Sequence, residues 1–149
     1  MKEFLNMERQ FLSKEAFDIY SACMYHPTWE KFYQRGLLFI KDPQVTVWGF
    51  MEDGHILGLI VIRKKQKQSG VLEGIAVSPA QQRNGLGREL IAQAYFVLSL
   101  SFLQAETDDD AVEFYRRCGF HTEMFYKKYN GKQYRRYRCV FTTLSSPSS

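Results

Sequence analysis

The stretch that decides the fold is Leu72-Glu73-Gly74-Ile75-Ala76-Val77-Ser78-Pro79-Ala80-Gln81-Gln82-Arg83-Asn84-Gly85-Leu86-Gly87-Arg88. An apolar run ends at Val77, and Ser78-Pro79 stops it. Leu86, Leu90, Ile91, Ala94, Val97 and Leu98 then repeat at helical spacing between Gly85 and about Leu100. The order is strand, glycine-bearing loop, helix. Glycine lets a backbone approach a ligand closely. The free N–H groups of a first helical turn point outward and the helix dipole adds positive potential, so such a segment can cradle an anion such as a pyrophosphate. The Gly-Lys-Ser/Thr ending of a P-loop is missing. Gln82-x-x-Gly85-x-Gly87 also lacks the third glycine of the dinucleotide fingerprint, and no second βαβ unit follows. Taken alone, Gly-x-Gly at a helix start reads either as an anion cradle or as a turn that needs small residues.

Upstream, three antiparallel strands lead into this segment. Val45 to Met51 and Ile56 to Ile62 flank Asp53-Gly54, which tolerate the positive φ of a tight hairpin turn, and Gly70 opens a third strand, Val71 to Val77. Before them, Phe4 to Arg9 reads as a short strand. Ser13 caps a helix with Ala16, Phe17, Tyr20, Cys23 and Met24 on its apolar face, and His26-Pro27 breaks it. Thr28 caps a second helix through Trp29, Phe32 and Tyr33, which Gly36 is expected to end. Downstream, Phe102 to Ala105 reads as a strand. Thr107 is placed to cap a helix with Asp108, Asp109 and Asp110 in its first turn, and with Ala111, Val112, Tyr115 and Cys118 on its buried face up to Gly119. Phe120 to Tyr129 and Tyr134 to Phe141 flank Asn130-Gly131, a second hairpin. The order β-α-α-β-β-β-α-β-α-β-β predicts an α/β (α+β) fold. One mixed, largely antiparallel sheet of about seven strands carries helices on both faces.

The 149 residues, 45% hydrophobic and 24% charged, suit a single globular domain over residues 1–144, with 145–149 expected to be a disordered tail. No apolar run approaches the ~20 residues of a membrane span, and the N-terminus lacks the apolar core of a signal peptide. Cys23, Cys118 and Cys139 make an odd set with no CxxC spacing, which points to reduced thiols in a cytoplasmic protein. His26, His55 and His121 are scattered, and no metal is expected. The net charge of +4 gathers at Arg63-Lys64-Lys65-Gln66-Lys67, read as a solvated turn, and at Arg135, Arg136 and Arg138. Neither cluster matches a nucleic-acid module, so no nucleic-acid partner is expected, whereas a small molecule with several phosphates fits the same charge.

Gln82-Arg83-Asn84-Gly85-Leu86-Gly87, preceded by Ile75-Ala76-Val77-Ser78-Pro79, resembles the Arg/Gln-x-x-Gly-x-Gly/Ala signature of the GNAT superfamily of acyl-CoA-dependent N-acyltransferases. Ala111-Val112-Glu113-Phe114-Tyr115-Arg116-Arg117-Cys118-Gly119-Phe120 is similar to that family's alanine-rich helix ending in Tyr and then Gly-Phe. The element order matches over nearly the whole chain. The resemblance implies acetyl-CoA as co-substrate. Gln82, Arg83, Asn84, Gly85, Leu86, Gly87 and Arg88 would surround its pyrophosphate, and Ile75, Ala76 and Val77 would pair their backbone with the pantetheine arm like an added strand. It further implies that this strand splays from Phe102 to Ala105 with the thioester in the gap, and that Gly74 marks a bulge beside it. One N–H among Ile75 to Val77 would then polarise the thioester carbonyl. Phe114 and Asp108 complete the cofactor positions. Family members often carry Asn where Asp108 stands, so Asp108 either contacts the cofactor or only supports the helix start. Tyr115 matches the general acid for the departing thiolate.

For the general base, Glu73 is the first candidate. Two residues before Ile75, it is expected on that residue's face of the strand. Glu106 is the second, and a water chain the third. No activated nucleophile is apparent, so the expected reaction is acetyl transfer to a primary amine by direct attack in a ternary complex. The acceptor would be a small molecule, a protein N-terminus or a lysine, and the protein a monomer or homodimer. The alternative is a non-catalytic acyl-CoA-binding regulator. Glu73, Glu106 and Asp108 to Asp110 are expected to form an acidic rim that draws a cationic amine, with Trp29, Phe32, Tyr33 and the last hairpin shaping specificity.

Overall fold

The structure is a computed structural model and describes residues 1–142. β1 (Glu3–Asn6) precedes α1 (Lys14–Tyr20), a 3-10 turn (Ser21–Cys23) and α2 (Trp29–Lys41). β2 (Val45–Glu52), β3 (His55–Lys65) and β4 (Ser69–Val77) follow, then a second 3-10 turn (Pro79–Gln81) and α3 (Leu86–Val97). β5 (Phe102–Thr107), α4 (Val112–Arg117), β6 (His121–Tyr129) and β7 (Lys132–Phe141) complete the order. The seven strands form one sheet, β1-β2-β3-β4-β5-β7-β6, antiparallel throughout except for β4 beside β5. This is the expected mixed, mostly antiparallel sheet. Both hairpins turn on the expected pairs, with positive φ at Asp53, Gly54, Asn130 and Gly131.

The sheet separates two apolar layers. On one face Ala16, Ile19 and Tyr20 of α1 and Phe32 and Phe39 of α2 pack with Met7 and Phe11 against Val47, Leu59, Val61 and Ala76. On the other, Leu86, Leu90, Ile91 and Ala94 of α3 and Tyr115 of α4 cover Ile60, Ile62, Leu72, Ile75, Leu103, Ala105 and Cys139.

Several boundaries differ from the sequence reading. α2 does not end at Gly36. It runs on to Lys41, where Asp42 caps it and Pro43 follows. Gly36 is small because a Cβ there would lie 2.5 Å from Leu12 Cδ2 and 3.1 Å from the Phe11 ring, so it serves packing within a helix rather than termination. α1 is shorter than its apolar stripe, and the tighter turn that ends it carries Cys23 out of the helical register. Arg63, Lys64 and Lys65 belong to β3, leaving the turn to Gln66, Lys67 and Gln68. β1 stops at Asn6, short of Arg9. The tail at 145–149 lies outside the described residues.

Candidate active site

The site begins where the sheet comes apart. β4 and β5 pair only at Ser69↔Phe102, Gly70↔Leu103 and Val71↔Gln104. Beyond that, β4 follows β3 while β5 follows β7 as far as Thr107↔Tyr137. The divergence starts at a bulge. Val61 lies opposite Gly74 and Ile62 opposite Leu72, so Glu73 is the extra residue. Gly74 is required beside it, because a Cβ there would collide with the Tyr20 hydroxyl, and Tyr20 is only 1% exposed. Past the bulge, the Ser78 N–H donates to the Leu57 carbonyl at 2.9 Å. Alternation from that bond turns the N–H groups of Ile75 and Val77 away from β3, into the gap. The Ile75 N–H meets the Cys23 thiol there.

The loop after β4 uses its two glycines for different reasons. Gly85, at φ 76°, caps α3 in the left-handed region, and no atom within 4 Å would oppose a Cβ. Its need is backbone conformation, facing open space. At Gly87 a Cβ would sit 2.7 and 2.8 Å from the Phe114 ring, so this glycine lets α4 close against α3. Gln82, Arg83, Asn84 and Gly85 are exposed, Leu86 and Gly87 are buried, and the Arg88 guanidinium reaches back to the Arg117 carbonyl. The N–H groups of the first α3 turn have no partner within the helix, and with the exposed Arg83 and Arg88 they put positive potential beside the end of β4.

Tyr115 approaches the gap from the α4 side. Its ring is 9% exposed and lies edge-on to Phe114 and Phe120 at 5.4 and 5.2 Å. Burial, and then the nearby Cys23 thiol, push the phenol well above its ordinary pKa, so it keeps its proton across the neutral range. Among the described residues Trp48 Nε1 is the one sealed side-chain polar atom without a partner. The Tyr115 hydroxyl makes no hydrogen bond among the described residues, and the Cys23 thiol is the first of the charged or polar groups near it.

The acidic residues are arranged differently from the expectation. The bulge places Glu73 on the α1/α2 side, opposite to Ile75, whose side chain packs in the α3/α4 layer. Glu73 Oε2 accepts from Arg63 Nε at 3.2 Å, and Arg63 also binds Asp42 at 2.5 Å. Glu106 accepts from Arg136 at 3.0 Å and Lys127 at 3.3 Å. Burial pushes its carboxyl up, but the two cations outweigh that and lower it. Asp109 is held by Arg135 at 2.8 and 3.1 Å and by the Tyr137 hydroxyl at 2.8 Å. Thr107 is buried at the end of β5 and does not cap α4. Asp108 instead braces the turn that leads into α4, with Oδ1 accepting from the Asp110 and Ala111 N–H groups at 3.0 and 3.1 Å. Of the expected acidic rim, Glu73, Glu106 and Asp109 are thus each paired with guanidinium or ammonium groups, while Asp108 is taken up by backbone N–H groups.

Tyr20 and Cys23 were legible only as an apolar helix face, yet they line the gap. Cys23 is an exposed residue whose thiol turns inward, donating to the Tyr20 carbonyl at 3.3 Å. Burial pushes the thiol up to about 11. No His, Cys, Asp or Glu group among the described residues could hold a metal ion, and no helix among them is long and apolar enough to cross a membrane.

A parted β4/β5 pair, a glycine loop opening a helix and a tyrosine facing the gap define an acetyltransferase architecture. Residues 8–120 match the model of the acetyltransferase (GNAT) family, and the chain belongs to that family. Comparison with curated proteins returns no match. Among solved structures, the ribosomal-protein-S18-alanine N-acetyltransferase from Escherichia coli aligns over 100% of this chain and 99% of its own, with 18% identity and a TM-score of 0.70. A GNAT-family acetyltransferase from Desulfovibrio desulfuricans reaches a TM-score of 0.76 at 18% identity, over 95% of this chain and 99% of that one. A mutant spermidine N-acetyltransferase from Vibrio cholerae gives 0.70 at 17% identity, over 95% and 93%. At these identities the likeness establishes the fold.

The Phe114 contact makes a distinct prediction for the loop. Gly87→Ala should lower stability by about 1–3 kcal/mol, the usual cost of overpacking. Phe114→Leu in the same chain should recover part of that loss, giving a coupling of about 0.5–3 kcal/mol in a thermal-unfolding double-mutant cycle. Additive effects would show that the ring is not what keeps Gly87 small.

Proposed function

We propose that the protein is a cytoplasmic N-acetyltransferase that moves the acetyl group of acetyl-CoA to a primary amine in a ternary complex. The observation that carries this reading is the free inner edge of β4. Ile75 and Val77 present N–H groups in the middle of a sheet, where backbone donors are ordinarily paired, and the Gly85 helix start lies at the end of the same strand. An extended amide-bearing arm ending in a pyrophosphate fits both features. Ile75, Ala76 and Val77 hold the arm. Gln82 to Arg88 hold the phosphates through the first α3 turn, and Phe114 supports that turn from beneath. Asp108, whose carboxylate is already bonded to the turn that leads into α4, contributes by fixing Tyr115 rather than by contacting the cofactor.

Acetyl-CoA, when bound, supplies an activated thioester carbon. The chain's own groups do the rest. An N–H in the gap donates to the carbonyl oxygen as negative charge grows on it, which the Ile75 N–H can do once the Cys23 thiol yields its place. The amine reaches the gap from the α1/α2 side, where Glu73 lies. Arg63 engages Glu73 Oε2, leaving the other oxygen to take the ammonium proton directly or through a water. As the C–N bond forms and the C–S bond breaks, the Tyr115 hydroxyl delivers its proton to the thiolate, and the second proton of the attacking nitrogen returns to the Tyr115 oxygen, directly or through a water, leaving a neutral amide and a neutral phenol. The products are an amide and a free thiol. Cys23, its thiol raised to about 11, stays protonated and does not act as a nucleophile.

A panel of amines with acetyl-CoA, followed by thiol release, tests the activity, and silence across the panel would end this reading. Tyr115→Phe should lower kcat by roughly ten- to a thousandfold with coenzyme A affinity nearly unchanged, since only the hydroxyl is lost. Unaltered turnover under chemistry-limited conditions would remove Tyr115 from the mechanism. Glu73→Gln should lose most activity at low pH, where the acceptor arrives protonated, and approach the parent at high pH, where it does not. A uniform loss across pH would assign Glu73 to positioning alone.

A further inference from the structure

The two faces of the sheet are covered unequally. α1 and α2 lie over β2, β3 and β4, and no residue of β5, β6 or β7 belongs to their layer. The far half of that face is therefore open, beside the gap through which the acceptor must come. Cys139 and its partner Ala105 are buried in the opposite layer, so Arg138 and Glu106 point to the open side. Cross-strand register brings Glu123, Phe125, Arg136, Lys127 and Lys132 to the same side, so two carboxylates, Glu106 and Glu123, stand among four cations there, Arg136, Arg138, Lys127 and Lys132. The contacts agree, since Glu106 binds both Lys127 and Arg136, and the Arg138 guanidinium lies 5.7 Å from the centre of the Phe125 ring. Glu106 is thus already engaged. Arg138 and Lys132 are exposed and form no ion pair among the described residues.

The other bank of the gap carries the same sign. A groove of about 520 Å³ is lined by Arg35, Leu38, Phe39, Lys41, Asp42 and Arg63. Its one acid, Asp42, is bound to Arg63. Arg35 is exposed, has no ion-pair partner among the described residues, and exerts its charge on Tyr20 and Cys23 at the gap. Guanidinium groups without an ion-pair partner among the described residues therefore stand on both banks, Arg35 on α2 and Arg138 on β7, and cations outnumber carboxylates on each bank even with Glu123 and Glu73 counted.

From this charge arrangement we infer that the acceptor amine belongs to an acidic polypeptide segment. Its carboxylates lie on the Arg35–Lys41 groove and along Arg138 to Lys132, and its amine lies over Glu73. From Lys132 to Arg138 the strand runs ~20 Å at ~3.3 Å per residue. The row is longer than a free amino acid and suits an extended chain. A polyamine would meet like charge on both banks. The inference rests on the acetyl-transfer reading and adds acceptor class to it, while the bonds made and broken stay the same.

The test is kcat/KM with acetyl-CoA, by thiol release, for equal-length peptides bearing one free amine flanked by acidic, neutral or basic residues, with spermidine alongside. One set offers an α-amine without lysine, the other a lysine behind a blocked N-terminus, so the two arms identify which amine is used. Acidic peptides should exceed neutral ones by about tenfold or more at low ionic strength, and the advantage should collapse in ~1 M salt, where the Debye length falls to ~3 Å. Arg35→Glu with Arg138→Glu should cut the acidic-to-neutral ratio about tenfold with coenzyme A affinity at the parent value, and the corresponding Gln pair should shift it in the same direction. Preference for spermidine or basic peptides, or a ratio unmoved in both double variants, overturns the inference while leaving acetyl transfer standing. Absence of thiol release with every amine overturns both.

Discussion

The constraint on which the rest depends is the early parting of β4 from β5. An interior strand of a seven-stranded sheet ordinarily pairs along both edges, because an unsatisfied backbone group costs about 1–3 kcal/mol. Here the parallel pairing lasts three residues and stops. The extra residue at Glu73 turns the strand, and Gly74 admits the Tyr20 hydroxyl so closely that no side chain could replace its hydrogen. β5 keeps its other edge paired with β7 as far as Thr107, but beyond Gln104 the edges of both β4 and β5 that face the gap are without a strand partner. The β4 edge is the one that a ligand with its own amides can satisfy. Stability withheld from the sheet becomes affinity and donor placement at the gap.

Around that opening the chain divides its chemistry by face. α3 and α4 hold the helix start, the close Gly87–Phe114 contact and the buried phenol. α1 and α2 hold the aromatic layer that presses Tyr20 onto the bulge, and the bulge turns Glu73 of β4 to their side, where Arg63 binds it. The electrostatic character of that side follows from distant pairings. Lys127 and Arg136 reach Glu106, Arg135 reaches Asp109, and Arg63 bridges Asp42 and Glu73. Most of these groups are partly exposed, so each pair adds little to stability. Together they decide what charge an incoming molecule meets.

Much of this was legible in the sequence, for local reasons. Asp53-Gly54 and Asn130-Gly131 must turn because few other residues accept positive φ in succession, and the α3 repeat has one period only. The loop and the Tyr115 helix stood out by resemblance and fall on either side of the gap. What escaped depends on residues far apart in the chain. Gly36 has helix-ending chemistry, but its reason is Leu12 and Phe11 pressing from outside. Glu73 was assigned to the face of Ile75 by simple alternation, and one inserted residue reverses that. Glu106 and Asp109 look like part of a negative rim because the cations that hold them lie more than twenty residues away in the chain. Cys23 sat on an apparent helix face until a tighter turn redirected it.

The most direct measurement of the account is amide hydrogen exchange at Val77 and Ile75, resolved by NMR, with and without coenzyme A. In the free protein the Val77 N–H should exchange much faster than those of Ala76 and Ser78, which face β3, and the Ile75 N–H should be protected only weakly by the Cys23 thiol. Saturating coenzyme A should slow both by about tenfold or more, as an added strand pairs with the edge. Protection of Val77 equal to Ala76 in the free protein, or no change on adding coenzyme A, would contradict the open edge at the centre of this structure.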